Sequence, residues 1–258
     1  MSIHPTAVVD PGARLGKSVK VGPYSVIGAE VEIGDETQVG AHVVLEGPTR
    51  IGCRNRIFPF CTIGLIPQDL KFRGERSEVI IGDDNRIREF VSIHRGTEGG
   101  GAVTRLGSFN LIMAYCHIAH DCVLGDAVIM GNAATLAGHI VIEDNASIGA
   151  FSGVHQFCRV GRHAFIGGYT VITQDVLPFS HAVHERGVRV YGANTVGLQR
   201  RGFSSERIGQ IEQALRVLTR SKLNTTQALE KIRQTLDRNE DIEALVRFVE
   251  SSERGVIK

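Results

Sequence analysis

An aliphatic residue recurs at every sixth position through the first two thirds of this chain, and this period restricts the possible folds more than any other feature. The series begins at Ile3, resumes at Ile81 and runs from Leu106 to Ile172. Three hexads make one turn of about 18 residues, and strands of successive turns pair about 4.8 Å apart. The pattern predicts an all-β, left-handed parallel β-helix, because a β-sandwich would show a period of two.

Two segments interrupt the repeat. Residues 65–78 lack the expected aliphatic residues, and residues 95–105 shift the repeat by one position. Both segments are predicted to be loops that leave the coil, and such loops often carry functional residues. The second contains Gly99-Gly100-Gly101 without a following Lys-Ser/Thr, so a phosphate-binding loop is not expected.

The hydrophobic period becomes helical after about residue 190. Ser204 and Thr225 are predicted to begin two helices, and Ile242 belongs to the hydrophobic face of a third. We therefore expect a β-helix domain at residues 1–190, followed by a small C-terminal α-helical domain at residues 191–258.

The composition excludes several classes of protein. A net charge of +1 on 258 residues gives no basic footprint of nucleic-acid binding, and no stretch approaches the roughly 18 apolar residues of a membrane span. The N-terminus has none of the features of a secretory signal. We expect a cytoplasmic protein that binds no nucleic acid and has no membrane span.

The cysteines indicate packing rather than disulfides. The chain has five, and an odd number without a secretory signal argues against a disulfide framework. Four stand at the fourth position after the aliphatic residue, where the repeat otherwise has small or β-branched residues: Cys61, Cys116, Cys122 and Cys158. We predict that these four side chains are buried along the coil.

Five of the ten histidines are concentrated in one part of the coil. They are His94, His117, His120, His139 and His155, and none stands at the inward position of its hexad. Residues one turn of about 18 residues apart lie on adjacent coils, so we expect His139 beside Asp121, and Gly138 beside His120. Two imidazoles, a carboxylate and a glycine N–H then converge on one edge of the prism, which predicts a functional site.

General-base catalysis is the favoured role for this cluster. The alternative is a metal site, since the gamma-class carbonic anhydrases have a related β-helix and hold zinc with three histidines. Their His-x4-His pair is absent, and His117 and His120 are expected to point to different sides of an extended chain. The Gly138 N–H would be the oxyanion donor, and the absence of a paired serine or cysteine nucleophile favours direct acyl transfer.

Longer motifs are more specific than the hexads, which fit many acyl- and acetyltransferases. They are His117-Ile-Ala-His120-Asp121-Cys122, Asn132-Ala-Ala-Thr-Leu136-Ala137-Gly138-His139, Val154-His155-Gln156-Phe157-Cys158, Arg200-Arg201-Gly202-Phe203-Ser204, Ile93-His94-Arg95-Gly96-Thr97 and Pro67-Gln68-Asp69-Leu70-Lys71. Together they resemble the UDP-N-acetylglucosamine O-acyltransferase family over nearly the whole chain.

The resemblance implies a reaction and an assembly. The family transfers an (R)-3-hydroxyacyl chain from the phosphopantetheine arm of acyl carrier protein to the glucosamine 3-hydroxyl of UDP-N-acetylglucosamine, which opens lipid A synthesis. It implies a homotrimer with active sites in the clefts between subunits, and no cofactor or metal.

The resemblance also assigns roles by motif. His120 is implied as the general base, Asp121 as its support and Gly138 as the oxyanion donor. Residues implied to bind the sugar and the acyl ester are Asp69, Lys71, His117, His139 and Gln156, with His94 as a further substrate-binding residue. The nucleotide would contact His155, Asn194, Arg200 and Arg201. Gly168 would leave the acyl groove open, which implies a long acyl chain.

Two departures from the family leave the acceptor open. Residues 181–191 lack the Gly-Asn-x-Ala element common in relatives, and Val196 replaces an acidic residue that some relatives use near the nucleotide. The acceptor is either UDP-N-acetylglucosamine or its 3-amino analogue, which would give an amide.

Three other interpretations fit the sequence less well. An N-acyltransferase acting later in lipid A synthesis normally carries an extra N-terminal domain, whereas the hexads begin here at Ile3. An acetyltransferase that uses coenzyme A would not need the long helical segment. A non-catalytic scaffold would not need the polar cluster around His120.

Overall fold

The computed structural model describes residues 1–184 and 188–258. Up to residue 172 the chain winds into a triangular prism, because every third strand joins the same parallel sheet. This is the predicted left-handed parallel β-helix. We call its three sides sheets A, B and C, and the edges between them the A–B, B–C and C–A corners.

The strands of each sheet follow one another at the spacing of one coil. Sheet A contains β1 (Ser2–Ile3), β4 (Lys20–Val21), β7 (Gln38–Val39), β10 (Arg56–Ile57), β13 (Arg86–Ile87), β16 (Leu111–Ile112), β19 (Ile129–Met130), β22 (Ser147–Ile148), β25 (Phe165–Ile166), β27 (Ser180–His184) and β28 (Val188–Ala193). Sheet B contains β2 (Val8–Val9), β5 (Val26–Ile27), β8 (Val44–Leu45), β11 (Thr62–Leu65), β14 (Ser92–His94), β17 (His117–Ile118), β20 (Thr135–Leu136), β23 (Gly153–Val154) and β26 (Val171–Ile172). Sheet C contains β3 (Arg14–Leu15), β6 (Val31–Ile33), β9 (Thr49–Ile51), β12 (Glu78–Ile81), β15 (Val103–Leu106), β18 (Val123–Leu124), β21 (Val141–Ile142) and β24 (Arg159–Val160).

The core of the prism is the stack of inward aliphatic residues. Ile93, Ile118 and Leu136, from successive strands of sheet B, are completely buried. The four cysteines predicted to be packing residues are buried as well, which confirms that prediction. Burial raises the pKa of the Cys61 thiol to about 12, because a thiolate would lose its hydration there.

The two predicted loops both leave the prism between sheets B and C. The first occupies residues 66–77, between β11 and β12, and the second residues 95–102, between β14 and β15. The second is shorter than predicted, because residues 103–105 pair with β12 as part of β15. A short 3-10 helix (Glu98–Gly100) folds this loop back, and Gly101 ends it with a φ of +88°.

The end of the prism differs from the prediction. β27 pairs with β25 in parallel and with β28 antiparallel, so the predicted boundary after residue 190 falls inside β28. The ribbon interrupts the hexad pattern because its strands run along each other instead of winding on.

Four helices follow the ribbon: α1 (Thr195–Arg200), α2 (Ser205–Arg220), α3 (Thr225–Thr235) and α4 (Glu240–Glu250). The predicted cap of α2 is confirmed, since the Ser204 side chain accepts a hydrogen bond from the Arg207 N–H. α3 begins where predicted, with Asn224 as its cap, whereas α1 was not predicted. No helix in the described ranges is long and apolar enough to cross a membrane.

Candidate active site

His120, Asp121, Gly138 and His139 meet at the B–C corner, as their spacing predicts. The register between β17 and β20 places His117 opposite Thr135, which brings the turn after each strand into contact. The His139 N–H then donates to the His120 carbonyl at 3.0 Å. The two imidazole rings lie 5.1 Å apart and almost perpendicular.

The His120 ring is held by Asp121. The distance from Nδ1 of His120 to Oδ2 of Asp121 is 2.8 Å, and Nε2 of His139 lies 3.8 Å from the same oxygen. An ionised carboxylate only accepts hydrogen bonds, so His120 donates from Nδ1 and keeps the lone pair on Nε2. This is the form in which an imidazole takes a proton from a hydroxyl group.

Gly138 provides both space and a hydrogen-bond donor beside the His120 ring. A Cβ atom at position 138 would lie 2.5 Å from Cε1 of His120 and 2.7 Å from its Nε2, so the ring occupies the place of the missing side chain. In the part of the chain that the structure describes, the Gly138 N–H has no hydrogen-bond acceptor. It is available for the oxygen of a bound acyl group.

Asp121 itself is buried under the second loop, with 5% of its surface exposed. Its Oδ1 accepts from the Thr97 N–H at 2.8 Å, and its Oδ2 accepts from the Thr97 hydroxyl at 2.6 Å. The Asp121 N–H donates to Oγ1 of Thr104 at 2.8 Å. The sequence predicted neither threonine, although Thr97 stands at the end of the motif that begins at Ile93.

His94 and His117 form a second pair on sheet B beside this corner. Their rings lie 4.8 Å apart, edge to face, and Nδ1 of His117 is 2.7 Å from the Ser92 hydroxyl oxygen. Burial lowers the pKa of His94 to about 4 and lowers that of His117, with the charges of neighbouring histidines adding to the effect. Both are therefore neutral at pH 7, and the contact between them is one of rings rather than of charges.

The first loop brings Asp69 and Lys71 to the same corner. The Lys71 N–H donates to Oδ1 of Asp69 at 2.9 Å. Burial lowers the pKa of His139, the charges of Asp121 and Asp69 raise it, and that of Lys71 lowers it. Both loop side chains are thus close enough to influence His139.

His155 and Gln156 lie at this corner one coil further on. The neighbouring Phe157 stacks on His139 with ring centroids 4.6 Å apart. Nδ1 of His155 lies 3.3 Å from the Gln156 carbonyl oxygen, and the His155 ring is otherwise exposed. The corner thus carries nine of the predicted residues together with Gly138.

The remaining predicted residues lie elsewhere on the same chain. Asn194, Arg200 and Arg201 line a cavity of about 970 Å³ between α1 and the outward side of sheet A. Nδ2 of Asn194 donates to the His163 carbonyl at 3.0 Å, and Arg201 donates to Oδ1 of Asn145 at the C–A corner. Burial lowers the pKa of Arg201.

Two further predictions concern the surroundings of these residues. Gly168 lies at the A–B corner, where a Cβ atom would be 3.2 Å from the Ala150 carbonyl oxygen. Val196 lines the cavity beside Arg200 and is 58% exposed. Of the unusual segment 181–191, residues 185–187 lie outside the described residues.

A metal site can be tested on the donor set at the corner. Within the described residues, the ligand atoms of His120, Asp121 and His139 lie within 4.8 Å of one another. This is a different set from the His117 and His120 pair considered from the sequence. Since both Asp121 oxygens and Nδ1 of His120 are already hydrogen-bonded, a metal would have to displace those bonds, and the prediction of no metal stays a prediction.

The fold and this corner place the chain in the class of hexapeptide-repeat transferases. The sequence profile described as bacterial transferase hexapeptide (six repeats) matches residues 12–47 and 139–174. Residues 175–257 match the profile described as UDP N-acetylglucosamine O-acyltransferase, domain 2.

Individual relatives define the family more closely. The acyl-[acyl-carrier-protein]–UDP-N-acetylglucosamine O-acyltransferase of Myxococcus xanthus is 51% identical over 256 residues, which cover 99% of each chain. The solved UDP-N-acetylglucosamine acyltransferase of Bacteroides fragilis superposes with a TM-score of 0.97 at 42% identity, covering 99% of each chain. That of Francisella novicida gives 0.96 at 40% identity, covering 99% of this chain and 93% of the other. This chain belongs to the UDP-N-acetylglucosamine O-acyltransferase family and is an acyltransferase.

Proposed function

We propose that this enzyme transfers an (R)-3-hydroxyacyl chain from acyl carrier protein to the 3-hydroxyl of UDP-N-acetylglucosamine, the first step of lipid A synthesis. The observation that carries the proposal is the arrangement at the B–C corner. His120 presents a free Nε2, Asp121 holds its Nδ1, and the Gly138 N–H beside it has no acceptor among the described residues.

The reaction follows from these three groups. The sugar 3-hydroxyl gives its proton to Nε2 of His120 as its oxygen attacks the thioester carbonyl. The carbonyl oxygen becomes negative and accepts a hydrogen bond from the Gly138 N–H, and loss of such a donor typically costs about 3 kcal/mol. The intermediate then expels the thiolate of the phosphopantetheine arm, which receives the proton from His120. An ester forms, a thioester breaks, and His120 returns to its starting form without a cofactor.

The nucleotide part of the acceptor fits the cavity beside α1. Guanidinium groups bind phosphates through paired, charge-assisted hydrogen bonds, and Arg200 has no partner of its own within the described ranges. Asn194 and Arg201 also line this cavity. We assign the diphosphate to this cavity, with His155 at the edge of the B–C corner as a further contact.

This assignment requires more than one copy of the chain, since the cavity on sheet A and the His120 corner lie on different sides of one prism. The outward residues of sheet B carry no charge, and include the exposed Val8, Val26 and Val171. Exposed rings at the A–B corner stack from Tyr24 to Tyr115 at centroid distances of 4.8 to 5.1 Å. Such an uncharged surface is typical of a subunit interface.

Sheet C has the opposite character, which supports a threefold arrangement with this side towards water. Its outward residues form exposed ion pairs along the prism, between Arg14 and Glu32 and between Arg50 and Glu78. We propose a homotrimer in which the His120 corner of one subunit faces the sheet A cavity of the next. Gly168, at the A–B corner, would then border the acyl chain and leave room for a long one.

We propose the cytoplasm as the place of action. The five cysteines are all free thiols, and four of them are buried. Free thiols are usual in a reducing compartment, where acyl carrier protein also carries its thioester.

Activity is tested with long-chain (R)-3-hydroxyacyl carrier protein and two acceptors, UDP-N-acetylglucosamine and its 3-amino analogue. We expect ester formation by the wild type, loss of at least about 10²-fold in His120→Ala, and normal turnover in the control His4→Ala. His4 is exposed at the far end of the prism. Equal turnover in His120→Ala and wild type would exclude His120 as the general base. Transfer to the 3-amino analogue alone would mean that this analogue, and not UDP-N-acetylglucosamine, is the acceptor.

The position of the site between subunits is tested by co-expressing His120→Ala and Arg201→Ala chains. Each mixed trimer would contain roughly one site in three with both residues intact, so activity absent from either variant alone should return in the mixture. A mixture as inactive as its parts would place both residues in one chain. Sedimentation equilibrium should give three times the chain mass of 28.0 kDa.

A further inference from the structure

We propose that Thr97 is a positioning residue for this reaction, and that the glycine-rich loop at residues 95–102 serves to hold the Asp121 carboxylate. The role concerns the proposed acyl transfer and so rests on the proposed function. It accounts for Gly100 of the glycine triplet, which neither the repeat nor the substrate sites explain.

The hydrogen bonds of Thr97 define the orientation of the carboxylate. Its N–H and its hydroxyl bind different oxygens of Asp121, at 2.8 Å to Oδ1 and 2.6 Å to Oδ2. Two donors from one residue fix the rotation of the carboxylate plane. The remaining bond of Oδ2, to Nδ1 of His120 at 2.8 Å, therefore has a single direction.

Burial makes the orientation of the Asp121 carboxylate depend on Thr97. Thr97, Asp121 and His94 are each 5% exposed, and Thr104 is completely buried. Little water can replace the Thr97 hydroxyl, so an Asp121 oxygen that lost it would seek another donor. The nearest candidate is Nε2 of His139 at 3.8 Å, and a turn towards it would move the oxygen away from His120.

The absence of a side chain at Gly100 allows the loop to approach Asp121 this closely. A Cβ atom at Gly100 would lie 2.0 Å from Cγ of Asp121. A Cβ atom at Gly99, in the same turn, would meet nothing within 4 Å. At position 100 the requirement for glycine therefore comes from contact with Asp121, whereas at position 101 it comes from the positive φ of the turn.

The kinetic test compares Thr97→Val with Thr97→Ser. Valine has nearly the shape of threonine but lacks the hydroxyl, whereas serine keeps it. We expect kcat to fall by about 10- to 100-fold in Thr97→Val with KM changed by less than about threefold, and to recover to within about threefold of wild type in Thr97→Ser. A normal kcat in Thr97→Val, or a serine variant as slow as the valine variant, would overturn the proposal.

A double-mutant cycle separates positioning from a structural role of the loop. If Thr97 acts through Asp121, Thr97→Val should change kcat by less than about twofold in an Asp121→Ala background. The same loss in both backgrounds would mean that Thr97 acts independently of Asp121. Gly99→Ala and Gly100→Ala provide the matched pair, with kcat unchanged in the first and lowered in the second. Equal effects in these two variants would also contradict the proposal.

The last measurement does not depend on turnover. In protein labelled with ¹⁵N-histidine, the His120 signals are identified by their loss in His120→Ala, and their shifts report which ring nitrogen carries the proton. We expect a single Nδ1–H form in wild type and a mixture of tautomers in Thr97→Val. An unchanged Nδ1–H form would overturn the positioning role even in an active enzyme. Inactive wild type with the expected spectra would instead refute the acyl-transfer function alone.

Discussion

Gly138→Ala would place a methyl group where the His120 imidazole lies. The new Cβ atom would be 2.5 Å from Cε1 and 2.7 Å from Nε2 of the ring. Carbon atoms in contact are normally about 3.5 to 4.0 Å apart, so the ring has to move by about 1 Å. The Gly138 N–H remains in the variant, so the substitution changes the position of the proposed base, His120, and leaves the proposed oxyanion donor in place.

The size of the effect follows from this displacement. A catalytic group misplaced by about 1 Å can lose about 10²-fold in rate, or about 2.7 kcal/mol of transition-state stabilisation. We expect kcat to fall by about two orders of magnitude while the circular dichroism spectrum stays that of wild type. The inward residues next to position 138, including Leu136 and Ile140, keep their packing.

The assay is steady-state acyl transfer at saturating donor and acceptor, so that kcat is measured and substrate binding does not mask the effect. Gly209→Ala is the control, because a Cβ atom at this helical position meets nothing within 4 Å. A Gly138→Ala enzyme with kcat within about threefold of wild type would refute the reasoning. The His120 ring would then not act from the position that the structure gives it.

Three further predictions concern stability and reactivity. Burial lowers the pKa of His94 and His163 to about 4 in the folded protein, so the unfolded chain binds more protons than the folded one between pH 6.5 and 4. The free energy of unfolding should therefore fall as the pH is lowered through that window, by up to about 1.4 kcal/mol per pH unit for each histidine. When that free energy is measured by urea titration at several pH values, it should depend less steeply on pH in His163→Phe than in wild type. Cys53 is the only partly exposed cysteine of the described chain, so Ellman's reagent should modify one thiol rapidly and all five only after denaturation; more than one rapid thiol would contradict the burial of the others. Arg207 binds both carboxylate oxygens of the buried Asp241 at 2.9 Å, so Asp241→Ala should lower the free energy of unfolding by about 1 to 3 kcal/mol, and a loss below about 0.5 kcal/mol in chemical denaturation would exclude this role.

The B–C corner was predictable because a solenoid converts sequence distance into spatial contact. Gly138 follows His120 by one coil, and the aliphatic residues Ile118 and Leu136 before them set the register independently of any other part of the chain. The contact between His139 and Asp121 follows from the same register. This is why the periodic segment predicted, without a structure, that these four residues of the candidate site lie side by side.

Segments without the period were less predictable. The sequence shows residues 95–102 only as a break in the repeat. The packing of Thr97 against Asp121 also depends on a glycine in this loop that lies too close to another coil for any side chain. The ribbon of β27 and β28 and the short helix α1 were missed for a related reason. Their conformation is decided by pairing with β25 and packing against sheet A, and short segments have weak local preferences.

The sequence by itself determined the prism, its buried aliphatic and cysteine columns, the histidine corner and the start of helix α2. Each depends on interactions between residues at a fixed offset, such as the hexad, the coil or the first turn of a helix. Only the tertiary structure decided that Arg200 and Arg201 lie on another side of the prism from His120, and that Thr97 binds Asp121. These contacts join segments that are not separated by a fixed number of residues. They depend on how the loops and the helical segment pack, because burial and hydrogen bonding there outweigh the local conformational preference of the chain.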